Sequence, residues 1–283
     1  MNHTLNIIVV GATGKMGQTL IQEIHHDNQT KLVGALDHEK ANHLGEDAGY
    51  FCGIKTGIVI QPKFDAISEK ADILIDFTRP EASNNYIDLC QKNKINYVLG
   101  TTGFSEAEKD NIANVAKNIA ICFAPNMSIG INLLLSLVES ATAIMHEDFD
   151  IEIIESHHKD KVDAPSGTAL SLGESVAKSS GRSLKEHGTF KRTGIMPSRK
   201  RNEIGFSVIR GGDIVGDHTV LYAGDGERIE LTHKASNRKT FAKGALRAAK
   251  FLADKTNGLF DMQDVLGVKQ KKLYPKIERF KLL

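Results

Sequence analysis

What is scarce in this 283-residue chain narrows its class before any motif is read. No apolar run approaches the ~20 residues of a membrane-spanning helix, so a membrane protein of that kind is not expected. Only three cysteines occur, Cys52, Cys90 and Cys122, and they are far apart with no C-x-x-C pair. A disulfide scaffold is therefore excluded, and buried or half-buried thiols in a reducing cytoplasm are expected. Excess charge is also missing. The formal net charge of +1 gives no overall pull toward nucleic acid or an anionic membrane. Residues Met1–Leu5 lead straight into an apolar strand with no basic-then-apolar leader, so a cytoplasmic location is expected. Internal repeats and low-complexity tracts are absent too. What remains is ordinary: 41% hydrophobic and 25% charged residues, in a chain long enough for one large or two medium domains.

The first half alternates strand and helix. Leu5–Val10 is a continuous apolar run, as in a strand covered on both faces. A helix starts at Lys15, with Leu20, Ile21 and Ile24 on one face. Further strands are expected at Lys31–Leu36, Ile73–Phe77, Tyr97–Leu99 and Ile119–Ala124. Helices are expected to start at Pro80-Glu81, with proline in the first turn, and after Ser105, where Ser105 and Glu108 match a capping box. This β-α alternation predicts a parallel sheet with helices on both faces. The pattern changes near Ser128. A long apolar helix, Ile129–Met145, leads into a region of strands at Ile204–Ile209, Thr219–Tyr222 and Arg228–His233, joined by glycine turns. That is a second, smaller α+β domain with an antiparallel or mixed sheet. The segment Gly181–Asn202 is too long for a simple connector and is expected to be mobile. Thr240–Leu252 and Met262–Leu266 read as helices, and a basic tail begins at Lys269.

Two stretches carry chemistry. The first is Gly11-Ala12-Thr13-Gly14-Lys15-Met16-Gly17, lying between a strand and a helix. Gly11 permits a tight turn, Gly14 lets the backbone approach a pyrophosphate, and Gly17 allows close helix–sheet packing. Asp37 ends the second strand twenty residues after Gly17 and can hydrogen-bond an adenosine ribose. His38 comes next, a weaker cation than the arginine that would welcome a 2′-phosphate. NADH is therefore expected to serve at least as well as NADPH. The loops Gly100-Thr101-Thr102-Gly103, Ala124-Pro125-Asn126-Met127 and Phe77-Thr78-Arg79-Pro80 end successive strands, where open α/β sheets bind ligands.

The second stretch is His157-His158-Lys159-Asp160-Lys161-Val162-Asp163-Ala164-Pro165-Ser166-Gly167-Thr168. Four nitrogen bases within five residues can hold negative charge and move protons. The turn after them opens a helix, whose free N–H groups hold more. Such a segment suits a small dianion whose chemistry needs a proton. Lys161 is the better proton donor, and His157 can share that work or stabilise charge. His158 and Thr168, with the N–H groups at Gly167, can grip a carboxylate. Zinc is disfavoured, because adjacent strand residues point to opposite faces and no third ligand sits at a suitable spacing. Two lobes imply hinges at Met127–Gly130 and Arg238–Phe241.

Together GATGKMG, DFTRP (Asp76–Pro80), GTTGF (Gly100–Phe104), APNMSIG (Ala124–Gly130), IEIIESHHKDKVDAPSGTA (Ile151–Ala169) and THKASNR (Thr232–Arg238) occur in that order. The chain thereby closely resembles the 4-hydroxy-tetrahydrodipicolinate reductase (dihydrodipicolinate reductase) family of the diaminopimelate route to lysine, from about Leu5 to Val268. The resemblance implies NAD(P)H-dependent reduction of a cyclic imine carrying two carboxylates, with loss of water. It implies a Rossmann-type nucleotide-binding domain over residues 1–128 and 239–283, and a substrate-binding and tetramerisation domain over 129–238. It implies a homotetramer. It assigns Gly11, Ala12, Thr13, Gly14, Lys15 and Met16 to the pyrophosphate, Asp37 and His38 to the ribose, and Gly100, Thr101, Thr102, Ala124, Pro125, Asn126 and Met127 to the nicotinamide end. It assigns His157 and Lys161 to catalysis, and His158, Gly167 and Thr168 to the substrate carboxylate. Family members that use both cofactors often carry an acidic–arginine pair where this chain has Asp37-His38. Two other readings differ in class: an NAD(P)-binding regulatory sensor, which would not need His157, Lys161 and the Pro-Ser-Gly-Thr turn together, and another dehydrogenase of aspartate-derived substrates. For the aldehyde kind of the latter, Cys122 lacks a supporting motif.

Overall fold

A computed structural model describes residues 4–65, 67 and 71–269; the basic tail from residue 270 lies outside them. In chain order the elements are β1 (Leu5–Val10), α1 (Lys15–His26), β2 (Thr30–Leu36), β3 (Ile60–Gln61), β4 (Ile73–Asp76), α2 (Pro80–Asn93), β5 (Asn96–Leu99), α3 (Glu106–Val115) and β6 (Ala120–Phe123). They continue with α4 (Ile129–Met145), β7 (Asp150–His157), α5 (Gly167–Ser179), α6 (Leu184–His187), β8 (Gly188–Thr189), β9 (Ile204–Arg210), β10 (Gly216–Ala223), β11 (Arg228–Ala235), α7 (Lys239–Leu252), β12 (Gly258–Phe260) and α8 (Met262–Leu266). No described helix is long and apolar enough to cross a membrane.

The chain divides into two compact units. The first comprises residues up to Ile129 and Arg238–Leu266. Its seven-stranded sheet runs in the order β12-β6-β5-β4-β1-β2-β3, and every pairing is parallel. The strand order reverses at β1, the switch point at whose C-terminal edge such sheets bind nucleotides. β1 shows why its apolar run is continuous. Leu5, Ile7 and Val9 pack with Leu20, Ile21 and Ile24 of α1 and with Ala245, Ala248 and Ala249 of α7. Ile8 and Val10 pack on the other side with Ile87 of α2 and Ile112 of α3. Each such buried side chain contributes about 1.5–3 kcal/mol of hydrophobic stabilisation. The Ser105–Glu108 capping box opens α3 as the spacing predicts, both reciprocal bonds being present.

The second unit contains residues 130–237. Its sheet is mixed, in the order β11-β10-β7-β9-β8. β10 is antiparallel to β7 and β11, whereas β9 is parallel to β7 and β8. Side chains alternate along β7. Ile151, Ile153, Glu155 and His157 are buried, and the first two share a core with Leu134 and Val138 of α4 and Leu172 and Val176 of α5. Residues 181–202 are not a structureless connector. They contain α6 and β8, and two arginines anchor the stretch after β8. Arg199 reaches Asp150 (2.6 Å) and Glu152 (3.0 Å), and Arg192 forms a two-pronged contact with Glu152 (2.7 and 2.9 Å).

Candidate functional site

In the first unit, the glycine loop, the end of β2 and the β4–α2 turn line one pocket of about 690 Å³. Gly11, Thr13, Gly14, Lys15, Met16, Asp37 and His38 all face it, together with Phe77, Thr78, Arg79 and Tyr86. The glycines are required by geometry. Gly11 has φ +69°, and a Cβ on Gly17 would overlap the Gly11 carbonyl oxygen. α1 begins at Gly14 with no side-chain cap, so the first-turn amides of Lys15 and Met16 have no side-chain acceptor there. An uncapped helix start behind a glycine cradle fits the pyrophosphate of a dinucleotide.

Asp37 does more than the sequence suggests. Its Oδ2 accepts the Thr13 amide (2.8 Å) and the Thr13 hydroxyl (2.7 Å), and its Oδ1 accepts the His38 amide (2.8 Å). The carboxylate thus shapes the glycine loop while Oδ1 keeps capacity for a ribose hydroxyl. Ala12 stands apart from the other loop residues. It is fully buried, and its amide is spent on the Leu36 carbonyl (3.0 Å), so it has no N–H to offer a phosphate. Arg79 is a cation of this pocket, a role that the sequence, where it is one residue of a turn, does not reveal.

The loops Gly100–Thr102 and Ala124–Met127 end β5 and β6 but do not line this pocket. Thr101, Ala124 and Met127 are buried. Asn126 accepts the Ser128 amide (2.8 Å). What holds the β4 and β5 loops together is Asp76, which opens the Asp76–Pro80 motif without a role legible there. This fully buried carboxylate accepts bonds from the Thr78 amide (2.6 Å) and hydroxyl (2.7 Å), the Ser83 hydroxyl (2.7 Å), the Tyr97 hydroxyl (2.6 Å) and Thr101 (3.3 Å).

The second unit concentrates the acid–base groups. His157 ends β7 on its buried face, and His158, the next residue, is half-buried. The His157 Nδ1 lies 2.6 Å from Glu155 Oε2. Glu155, only 1% exposed, is held by further donors: Arg210 donates to both oxygens (2.8 and 2.9 Å), and the Ser166 amide donates to Oε1 (2.9 Å). Burial alone would raise its pKa, but Arg210, His157 and the Ser166 amide outweigh it and hold the carboxyl below its ordinary range. Burial pulls His157 below the ordinary imidazole range, against the opposing pull of Glu155. His218 of β10 packs edge-on to His157 with ring centroids 5.1 Å apart, and burial brings it down to about 4. Both imidazoles are therefore neutral at pH 7.

Ser166 caps α5. Its hydroxyl accepts the Ala169 amide (3.2 Å) and shares a hydrogen bond with His218 Nε2 (3.1 Å). The exposed Gly167 and half-buried Thr168 form the first turn after it. Lys161 pairs with Asp163 (2.7 Å), and its amide is tied to the His158 carbonyl (3.2 Å). The structure thus brings His157, Lys161 and the α5 start onto one end of the mixed sheet. Arg210 and His218 join them there without any motif to announce them, and Glu155 joins from within the Ile151–Ala169 motif, which spells out no role for it. The period of β7 is the available signal for Glu155, since it shares a face with His157.

Both units resemble one set of known proteins. The family description "Dihydrodipicolinate reductase, N-terminus" matches residues 5–127, and "Dihydrodipicolinate reductase, C-terminus" matches residues 130–266. A 4-hydroxy-tetrahydrodipicolinate reductase of Nitrosospira multiformis is 51% identical over 267 residues, covering 94% of this chain and 99% of its own length. That of Polynucleobacter necessarius is 49% identical, covering 94% and 100%. Among solved structures, a dipicolinate-bound dihydrodipicolinate reductase from Paenisporosarcina superposes with a TM-score of 0.74 at 24% identity, covering 92% of this chain and 98% of that one, which supports the fold. With both halves matched and relatives near half identity along nearly the whole length, the chain belongs to the 4-hydroxy-tetrahydrodipicolinate reductase family.

Proposed function

We propose that this protein reduces 4-hydroxy-tetrahydrodipicolinate to tetrahydrodipicolinate with loss of water, using the residues described above. The observation that carries this reading is the cluster His157–Lys161–Ser166 beside the buried Glu155 and its half-buried partner Arg210, in a chain whose relatives are named for that reaction. A bound nicotinamide cofactor supplies hydride to the fourth ring carbon, and the chain's own groups do the rest. Gly11, Thr13, Gly14, Lys15 and Met16 cradle the pyrophosphate, and Asp37 binds the ribose. Gly100–Thr102 and Ala124–Met127 serve the nicotinamide end. His158, Thr168 and the Gly167 amide grip a substrate carboxylate. Lys161 delivers a proton, and His157 shares the acid–base work.

NADH serves at least as well as NADPH, because Asp37 repels a 2′-phosphate while its neighbour is a histidine. The working assembly is a homotetramer, by likeness to the family. The decisive experiment follows NADH absorbance with 4-hydroxy-tetrahydrodipicolinate. Oxidation with product formation supports the reading; cofactor binding without turnover replaces it with a sensor. A preference for NADPH above about tenfold in kcat/KM, equal to about 1.4 kcal/mol, would refute the cofactor assignment. Light scattering that finds a monomer at micromolar concentration would remove the tetramer.

A further inference from the structure

Asp76 ends β4 and is fully buried, yet its hydrogen-bond partners among the described residues are all neutral. A buried carboxylate without an ion partner is costly unless donors surround it. Here they do. The Thr78 amide and the hydroxyls of Thr78 and Thr101 converge on Oδ1, and those of Ser83 and Tyr97 on Oδ2. Burial and the charge of Asp76 hold the Tyr97 phenol well above its ordinary range, so it donates. A carboxylate is the one group that can accept from this whole set without donating.

The donors come from separate pieces of chain. Thr78 lies in the β4–α2 turn, Ser83 in the first turn of α2, Tyr97 on β5, and Thr101 in the loop after β5. The Ser83 hydroxyl is also 3.0 Å from that of Thr101, and the Gly100 amide donates to the Asp76 carbonyl (2.8 Å). Two contacts carry this order outward. The Thr78 methyl sits against the pyrophosphate loop, where a Cβ on Gly11 would lie 2.9 Å from it. The Phe77 ring sits against the β5 loop, where a Cβ on Gly100 would lie 2.3 Å from its edge. One carboxylate therefore sets three ligand-facing loops against one another.

We infer that Asp76 is the positioning residue of the cofactor site, acting through Thr101 and Thr78 to hold the β5 loop in the arrangement that takes the nicotinamide half of the dinucleotide. The inference rests on the reductase reading, which gives Gly100–Thr102 to the nicotinamide end, and adds what fixes that loop. Asp76 reaches the ligand only through its hydroxyl partners. Asp76→Asn is the informative change, because shape is kept and hydrogen-bond polarity is not. An amide NH2 turned toward Thr78 would face a backbone N–H that can only donate. Turned the other way, it forces the Ser83 and Tyr97 hydroxyls from donors into acceptors and redraws the network that ends at Thr101.

The test compares NADH with ADP-ribose, which is the same cofactor without its nicotinamide, in calorimetric titrations of the full-length protein. In Asp76→Asn the affinity for NADH is expected to fall at least about tenfold while that for ADP-ribose stays within about threefold. With 4-hydroxy-tetrahydrodipicolinate, KM for NADH should rise and kcat at saturating NADH should fall, with KM for the substrate unchanged. Thr101→Val, which cuts one arm, should give the same split at about threefold or more. The double variant should be no weaker than Asp76→Asn by more than about twofold, because both changes act on one network. General loosening of the fold would lower both affinities together, and binding of pyridine-2,6-dicarboxylate checks that each variant is folded. Equal losses for NADH and ADP-ribose, no loss for either, or full additivity in the double variant overturns the inference. If Asp76→Asn does not fold, Thr101→Val and Ser83→Ala decide alone, and the absence of a split in both overturns it. Wild-type turnover alongside any of these failures leaves the reductase reading standing, whereas wild-type protein that binds NADH without turnover removes that reading itself.

Discussion

Two helices in this protein begin beside a proposed anion, and they begin differently. α1 starts at Gly14 with no side-chain cap, behind a loop shaped by two indispensable glycines. α5 starts at Ser166, whose side chain caps the helix and whose amide is tied to Glu155. The first site is made of backbone and needs only the right turn, because a pyrophosphate is to be held and not changed. The second is a web of side chains from β7, β9, β10 and α5, because its ligand must exchange protons. A binding site can be written in glycine; an acid–base site needs groups whose protonation states are set by neighbours.

The sharpest way to separate the two is Lys161→Ala. kcat should fall about a hundredfold to ten-thousandfold, the usual worth of a positioned acid, while the affinity for NADH stays within about twofold. A kcat within a few-fold of wild type would break the assignment.

Acid should strike the α5 side next. His218 titrates near 4 in the fold against an ordinary value near 6.5, so the unfolded chain takes its proton first. The stability linked to it is complete above pH 6.5 and drains away as pH falls toward 4, by on the order of 3 kcal/mol. His157 is shifted the same way and adds to the slope. Thermal unfolding measured between pH 7 and pH 4.5 should show this fall, and His218→Gln should flatten it. An equally steep fall in the variant would mean that other groups are responsible.

Gly17→Ala tests the α1 side. The new methyl meets backbone that cannot yield, so about 1–3 kcal/mol of stability is lost and NADH binding weakens about tenfold or more. Pyridine-2,6-dicarboxylate binding should be spared; its parallel loss would show that the two sites are not separable. The smallest effect is expected for Ser166→Ala. Losing the cap costs about 1 kcal/mol and lowers Tm by ~2–4 °C, since Ala169 and His218 both lose their partner.

Much of this is legible in the sequence where information is local. The continuous run of β1, the whole of α4 and the Ser105 capping box follow from periodicity and capping chemistry. The two- and three-residue strands β3, β8 and β12 carry no period, and only pairing defines them. In the site, His157 and Lys161 sit in one contiguous motif. Arg210 and His218 arrive from strands more than fifty residues later, through the register that sets His157 opposite Arg210 and Glu155 opposite His218. Asp37 is legible as an acidic strand end, but its grip on Thr13 depends on the fold of the loop. Gly181–Asn202 looks loose in sequence because glycine and arginine are common in flexible segments. The partners of Arg192 and Arg199 lie some forty to fifty residues upstream, on β7.

The path of the chain through the first unit has a consequence for biosynthesis. The alanine face of α7 and the edge strand β12 complete a core and a sheet that residues near the start began. A ribosome adding roughly 5–20 residues each second must build the entire mixed-sheet region before those pieces emerge. For several seconds the nascent nucleotide-binding half therefore exposes the apolar side of α1 and the unpaired edge of β6, a window in which chaperones have most to protect.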